Sequence, residues 1–242
     1  MTVIGCSPAW PNPGGAQSGY LVERDGTRVL LDCGPGVLAR LRGSEPWPAL
    51  DAIVISHFHL DHWGDLVPWV WGAMFRVGAD PTPELWLPPG GRATLADHGS
   101  RLGFPGMFAQ VFAEHEYEPH QEFAVDGLSI IPVPVVHYRM PAYGLRVEAD
   151  DISLAYSADT GPTEALDELA HDANVFLCEA TLRDGEADGL PRGHLSADEA
   201  VAASASARAR RLVLTHRPVE LPTEPGLELA YDGYTIDVCR QP

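Results

Sequence analysis

Ser56-His57-Phe58-His59-Leu60-Asp61-His62 closes an apolar run, Asp51–Ser56, that reads as a buried strand. Three histidines and one aspartate within six residues place four potential metal ligands in a loop at a strand end. In an extended segment, residues two apart point the same way, so His57 and His59 can grip one ion together. Asp61 and His62 lie past the bend and can aim at a second. Imidazole and carboxylate suit zinc and similar divalent ions. The lack of thiolate in the string argues against a structural cysteine-type site.

Further ligands are expected at the ends of other apolar runs. His137 follows Ile130–Val136, Asp159 follows Ile152–Ser157, and His216 follows Leu212–Thr215. His194 stands in Gly193-His194-Leu195-Ser196, just ahead of a helical pattern. Six of the 10 histidines thus occupy strand-end or helix-entry positions. His98, His115, His120 and His171 lie in polar surroundings and read as surface residues.

Composition narrows the chemistry. The 242 residues carry a net charge of −18, with 34 acidic against 16 basic side chains. All 16 basic residues are arginine, which excludes Schiff-base lysines and the P-loop lysine. The acidic balance disfavours broad contact with a nucleic-acid backbone. A hydrophobic fraction of 45% is that of a folded globule, and the length suits a single domain over 1–242. Cys6, Cys33, Cys178 and Cys239 are far apart and read as small buried hydrophobes rather than a disulfide framework. The chain opens into Thr2-Val3-Ile4-Gly5 with no signal-like segment, and Leu66 to Val77 is too short to span a membrane. A cytoplasmic protein without membrane contact is the expectation.

Strands are predicted at Thr2–Gly5, Tyr20–Glu23, Arg28–Asp32, Asp51–Ser56, Glu84–Leu87, Leu128–Val136, Tyr143–Glu148, Ile152–Ser157, Val175–Cys178 and Arg211–Thr215. Helices are predicted after Pro35, from near Trp63 to before Gly78, at Thr163–Ala170, and after Ser196. Ser196 with Glu199 forms a capping-box pattern. A last hairpin is expected around Asp232-Gly233, and Arg208, Arg210 and Arg211 are expected along a helix end. Strand and helix groups in both halves point to two sheets with helices outside them.

The His57–His62 string resembles the H-x-H-x-D-H signature of the metallo-β-lactamase superfamily. Leu31-Asp32-Cys33-Gly34 is similar to the family's first motif. His137, Asp159 in Ser157-Ala158-Asp159-Thr160, and His216 in Leu214-Thr215-His216 match the later motifs in order. The resemblance implies an α/β fold, a four-layer αββα sandwich of two mixed β-sheets with helices outside. It also implies two divalent metal ions, with zinc expected and manganese, iron or nickel as alternatives. His57, His59 and His137 would hold one ion, Asp61, His62 and His216 the other, and Asp159 would bridge them. Gly193-His194-Leu195-Ser196 resembles the histidine motif of the ribonuclease Z and cyclic-nucleotide phosphodiesterase branch. On that likeness His194 contacts the scissile phosphate or protonates the leaving oxygen. A hydroxide between the ions is the implied nucleophile, oriented by Asp61. Asp32 and Glu179 are expected to support ligand imidazoles.

Two divalent ions outweigh Asp61, Asp159 and a hydroxide by one positive charge, so an anionic diester is attracted locally. Only 21 residues separate His137 from Asp159, too few for the tRNA-binding insertion of long-armed ribonuclease Z enzymes. The preferred expectation is therefore a phosphodiesterase for small anionic diesters such as cyclic nucleotides, with long nucleic acid disfavoured. Ribonuclease Z-like cleavage of RNA, lactone or thioester hydrolysis, and a non-catalytic metal-binding module are the alternatives. Relatives of this branch are often homodimers. Trp63, Trp69, Trp71 and Phe75 sit at helical spacing, which suits a core, yet they could also stack a nucleobase. Tyr138, Arg139 and Tyr143 are candidates for pocket contacts.

Overall fold

The apolar runs become strands covered on both faces. The first half forms β1 (Thr2–Gly5), β2 (Gly19–Arg24), β3 (Thr27–Leu31), β4 (Ala52–Val54), β5 (Glu84–Leu87) and β6 (Ala113–Glu116). The second forms β7 (Phe123–Val125), β8 (Leu128–His137), β9 (Met140–Ala149), β10 (Ile152–Tyr156), β11 (Val175–Glu179) and β12 (Leu212–Thr215). This computed structural model describes residues 1–44, 46–75, 82–222 and 225–239. Two six-stranded sheets assemble in the orders β1-β2-β3-β4-β5-β6 and β12-β11-β10-β9-β8-β7. In each, the leading strands are antiparallel. Pairing turns parallel from β3 to β6 and from β10 to β12.

Side-chain alternation builds four layers from these strands. Val29 and Leu31 of β3, Val54 of β4, Leu154 and Tyr156 of β10, Leu177 of β11 and Val213 of β12 meet between the sheets. Their neighbours face outward. Leu30 and Ile53 pack under α1 (Val37–Leu41), α3 (Leu66–Phe75) and α4 (Gly91–Arg101). Ala155, Phe176 and Leu214 pack under α5 (Ala165–Leu169) and α6 (Ala197–Ser206). Burial on both faces is why these strands read as continuous apolar runs rather than alternating ones. The order of layers is αββα, as expected.

Several local expectations differ from the structure. The predicted helix from Trp63 divides into α2 (Leu60–Trp63) and α3, with Gly64 and Asp65 between them. The break has a cause: Asp65 Oδ2 accepts from the Leu38 amide at 2.8 Å and ties the turn to the start of α1. The expected end before Gly78 lies outside the described residues. Unpredicted α4 is polar, with only Leu95 as a large buried side chain, and unpredicted β6 is a polar edge strand, Ala-Glu-His-Glu. The expected final hairpin does not form. Instead Leu229 bridges to Leu214 of β12 and Thr235 to Thr2 of β1, so the turn at Asp232-Gly233 straps the two sheets together.

The arginine trio also departs from expectation. No basic residue occupies the last turn of α6; Arg208 adopts φ 56° beyond it and pairs with Asp172 at 2.9 Å. Arg211 pairs with Glu228 at 2.7 Å. Local carboxylates, not the helix dipole, hold both. Cys6, Cys33 and Cys178 are buried as expected, whereas Cys239 is exposed. His120 and His171 are exposed, but His98 and His115 are half-buried against Trp63 and Trp86.

Candidate metal centre

Strands deliver the site residues from their C-terminal ends, where open α/β sheets build their crevices. Asp32 follows β3, His57 and His59 follow β4, His137 ends β8, Asp159 follows β10, Glu179 ends β11 and His216 follows β12. Four of the residues at these ends have left-handed backbones: Asp32 (φ 60°), Tyr138 (φ 49°), Ala158 (φ 52°) and His216 (φ 53°). Non-glycine residues rarely hold that conformation, and it is imposed here to turn side chains into the crevice. Gly34 has a different task. A Cβ there would lie 2.0 Å from the Asp61 carbonyl oxygen, so only glycine lets the Asp32 loop pass beneath the histidine string.

The side chains fall into two groups. In one, ligand atoms of His57, His59 and His137 lie within 4.8 Å of one another; in the other, those of Asp61, His62, Asp159 and His216 do. His57 and His62 join the groups, their ring centroids 4.1 Å apart. His194 stands alongside, its ring 5.0 Å from His137 and 5.7 Å from His216. His57, His62, His137, Asp159 and His216 are all buried, and His59 is half-buried.

Each buried imidazole is oriented through Nδ1. His57 Nδ1 lies 3.1 Å from Ser56 Oγ, and His62 Nδ1 2.7 Å from Asp32 Oδ2. His137 Nδ1 donates to the Gly193 carbonyl at 2.7 Å, and His216 Nδ1 meets Thr181 Oγ1 at 2.9 Å. The Ser56 and Thr181 hydroxyls themselves donate to Asp32 and Glu179, so both accept from the imidazoles. All four Nε2 atoms are thereby turned toward the centre. His57 Nε2 and His62 Nε2 have no hydrogen-bond partner although fully buried. Orphaned buried nitrogens of this kind mark a missing electrophile.

The charges lead to the same place. Asp32, Asp61, Asp159 and Glu179 are buried, and their described contacts are imidazoles, hydroxyls and backbone amides. Burial works against the charged form of His62, yet Asp159, Asp32 and Asp61 together hold its pKa well above the usual histidine range. Burial likewise opposes ionisation of Asp159, but His216 and His62 keep its carboxyl well below the ordinary range. Burial lowers the pKa of His57, His59 and His137, leaving neutral imidazoles beside anionic carboxylates. Such a field calls for a cation, and divalent ions fit both the charge and the nitrogen-oxygen donor set.

Asp32 accepts four bonds, from the Ser56 amide (2.7 Å), Ser56 Oγ (2.8 Å), His62 Nδ1 (2.7 Å) and the Tyr156 hydroxyl (2.8 Å). Asp32→Asn replaces one acceptor oxygen by a donor facing donors and releases His62. Metal affinity is expected to fall about 10- to 100-fold in a competition titration against a chelator. Unchanged affinity would show that Asp32 does not orient the site.

Around the cluster lies a cavity of about 680 Å³, lined among others by Trp10, His59, Asp61, Tyr138, Asp159, Arg183, His194 and His216. Of the expected pocket aromatics, Tyr138 reaches it, and its hydroxyl donates to Asp188 at 2.6 Å. Gly193 is needed under this ring, because a Cβ there would meet it at 2.2 Å. Tyr143, Trp63 and Trp69 belong to the core, Trp71 packs against it, and Phe75 and Arg139 are exposed elsewhere. Ser56, Thr181 and Trp10 had no sequence signal; each becomes visible only through its neighbours in the fold.

A buried histidine-aspartate cluster at the strand ends of an αββα sandwich defines a metal-dependent hydrolase of the metallo-β-lactamase type. The β-lactamase superfamily domain matches residues 27–217, and the chain belongs to this superfamily. An uncharacterised protein of Mycobacterium leprae is 35% identical over 230 residues, covering 90% of this chain and 77% of its own. Ribonuclease Z of Mycobacterium marinum is 32% identical over 240 residues, covering 89% and 85%. The probable metallo-hydrolase YhfI of Bacillus subtilis is 29% identical over 222 residues, covering 90% and 86%. Its crystal structure shares the fold, with a TM-score of 0.81 over 96% of this chain and 97% of that one. Among the described residues, no helix is long and apolar enough to cross a membrane.

Proposed function

We propose that the chain, acting as one domain over 1–242, is a dinuclear metal-dependent phosphodiesterase for small anionic diesters such as cyclic nucleotides. The observation that carries this reading is His194. It reaches the crevice beside both ligand groups while its own Nδ1 is held by Glu179 Oε1 at 2.9 Å. That leaves Nε2 free to act on a substrate oxygen.

His57, His59 and His137 would hold one ion, Asp61, His62 and His216 the other, with Asp159 reaching both. Bound divalent ions supply Lewis acidity toward a phosphoryl oxygen and lower the pKa of water. Asp61 accepts a hydrogen bond from the attacking water and aims it at phosphorus. As the new P–O bond forms and the ester P–O bond breaks, His194 gives its proton to the departing oxygen. One water is consumed, and the proton it loses passes to solvent and restores the one given up by His194. A linear diester yields a phosphomonoester and an alcohol, whereas a cyclic nucleotide opens to a single nucleoside monophosphate. The proton on His194 is well held. Burial opposes it, but the Glu179 carboxylate raises the imidazole pKa to about 9.

Ribonuclease Z-like cleavage is the second reading, favoured by the 32% identity to the mycobacterial enzyme. Against a long polyanion stand the charge of −18 and the engagement of Arg192, Arg208 and Arg211 with Glu199, Asp172 and Glu228. The test is a substrate panel for the metal-loaded protein: 3′,5′-cyclic AMP, bis-p-nitrophenyl phosphate, a precursor tRNA and a lactone. Turnover of both small diesters above the tRNA is expected. Preferred cleavage of the tRNA would establish the second reading, and turnover of the lactone alone would overturn both.

A further inference from the structure

The aromatic residue at the mouth of the cavity is none of those expected from helical spacing. Trp10 lies in the loop between β1 and β2, 50% exposed, and lines the same cavity as His59, Asp61, Asp159 and His194. A single exposed apolar side chain is ordinary; the way this one is held is not. Gln17 Nε2 donates to the carbonyls of Pro8 (3.2 Å) and Ala9 (2.6 Å), just before it. Beyond it, Asn12 Nδ2 donates to the Arg217 carbonyl at 3.0 Å, and the Val219 amide donates to Asn12 Oδ1 at 2.9 Å. The loop is therefore fastened on one side to itself and on the other to the segment that follows His216. Pro8, Pro11 and Pro13 stiffen it further. The backbone that carries the indole is thus fixed in advance beside the reacting centre, and a pre-ordered binding surface lowers the entropic cost of association.

The charge of the rim defines what the indole meets. Glu186, Asp188 and Glu220 line the cavity against Arg183 as the one arginine there, so its outer part repels additional phosphates. A cavity of about 680 Å³ has room for a nucleotide. A substrate portion suited to an indole beside this acidic rim is uncharged and offers an apolar face. We propose that Trp10 is the platform on which the nucleobase of the substrate stacks, and so sets the preference for nucleotide diesters over base-free ones. The proposal rests on the phosphodiesterase reading for its substrate class.

Two measurements separate the proposal from that reading. In the first, AMP binding to the metal-loaded protein is followed by calorimetry in wild type, Trp10→Leu and Trp10→Phe. Loss of the π-face in Trp10→Leu is expected to weaken binding about tenfold or more, with most affinity kept in Trp10→Phe. In the second, kcat/KM for 3′,5′-cyclic AMP is divided by that for the cyclic phosphate of 1-O-methylribose, which has no base. This ratio is expected to fall in Trp10→Leu by the same factor. Equal AMP affinity in Trp10→Leu and wild type, or a wild type that binds no AMP, would overturn the proposal, as would an unchanged ratio. AMP binding that depends on Trp10 without hydrolysis of any diester would leave the platform standing and remove the phosphodiesterase reading. Circular dichroism and metal content guard against a misfolded variant, and Trp10→Phe provides the rescue.

Discussion

Asp159→Ala is expected to lower turnover of a small diester by about a thousandfold or more, since metal ions contribute several kcal/mol to such reactions. Among the described residues, Asp159 is the carboxylate whose two oxygens face the two ligand groups. Its Oδ1 is 3.2 Å from His62 Nε2 and 3.6 Å from His216 Nε2, and its Oδ2 is 3.9 Å from both His57 and His137. Removing it takes away the carboxylate that would serve two ions. Metal analysis should find fewer ions per chain than in wild type. Stability offers an independent readout, because ions that bind only the folded state stabilise it by mass action. Chelation should lower the melting temperature of the wild type markedly. In Asp159→Ala the same treatment should change it little, since less ion is bound and the metal-free state has one fewer buried carboxylate beside Asp61. A variant that keeps full metal content and turnover would show that the cluster is not organised around Asp159.

The parts of this molecule that could be read from its sequence share a physical property: periodicity or adjacency along the chain. Strands β3, β4, β10, β11 and β12 are buried on both faces, so each shows as an apolar run. The residue just past each run falls at the crevice, which is why His137, Asp159 and His216 were legible one at a time. Glu179 follows its run in the same way, whereas Asp32 closes its predicted strand and was legible through its likeness to the family's first motif. Elements with little apolar content left no such trace, as in the polar α4 and the edge strand β6. The aromatics show the limit most clearly. Trp63 and Trp69 look like a stacking surface because they cluster in sequence, but that clustering is the core face of one helical region. Trp10 sits among prolines with no period at all, and its loop is tied beside the cavity by Asn12 Nδ2, which donates to the Arg217 carbonyl more than two hundred residues away. The Asp232 turn is similar. Its carboxylate accepts from the Ala16 amide at 2.7 Å and pairs with Arg40 at 2.9 Å, tertiary partners that outweigh the local preference for a hairpin.

His194→Ala should separate catalysis from metal binding. Glu179 is itself held by the Thr160 amide (3.0 Å), the Thr181 amide (3.0 Å) and Thr181 Oγ1 (2.8 Å), so the carboxylate that orients His194 cannot turn away. The histidine is further positioned by Arg192, which donates to its carbonyl at 3.1 Å while paired with Glu199 at 2.6 Å. An imidazole fixed this firmly at Nδ1 has one free nitrogen, and proton transfer from such a group contributes about a hundred- to ten-thousandfold. Turnover of cyclic AMP is therefore expected to fall by about that factor, with metal content and melting temperature close to wild type. The loss should depend on the leaving group. The alkoxide released from a cyclic nucleotide is strongly basic and needs a proton, whereas p-nitrophenolate departs without one. Bis-p-nitrophenyl phosphate should accordingly lose far less activity than cyclic AMP. Equal losses on both substrates would assign His194 to the phosphoryl oxygens instead of the leaving group. Loss of metal would place it among the ligands, for it also lies within reach of His137 and Asp159 in a geometry able to hold an ion. The Glu179 contact holds Nδ1 in either case, as Asp32 holds His62, so metal content is the measurement that separates a proton donor from a ligand.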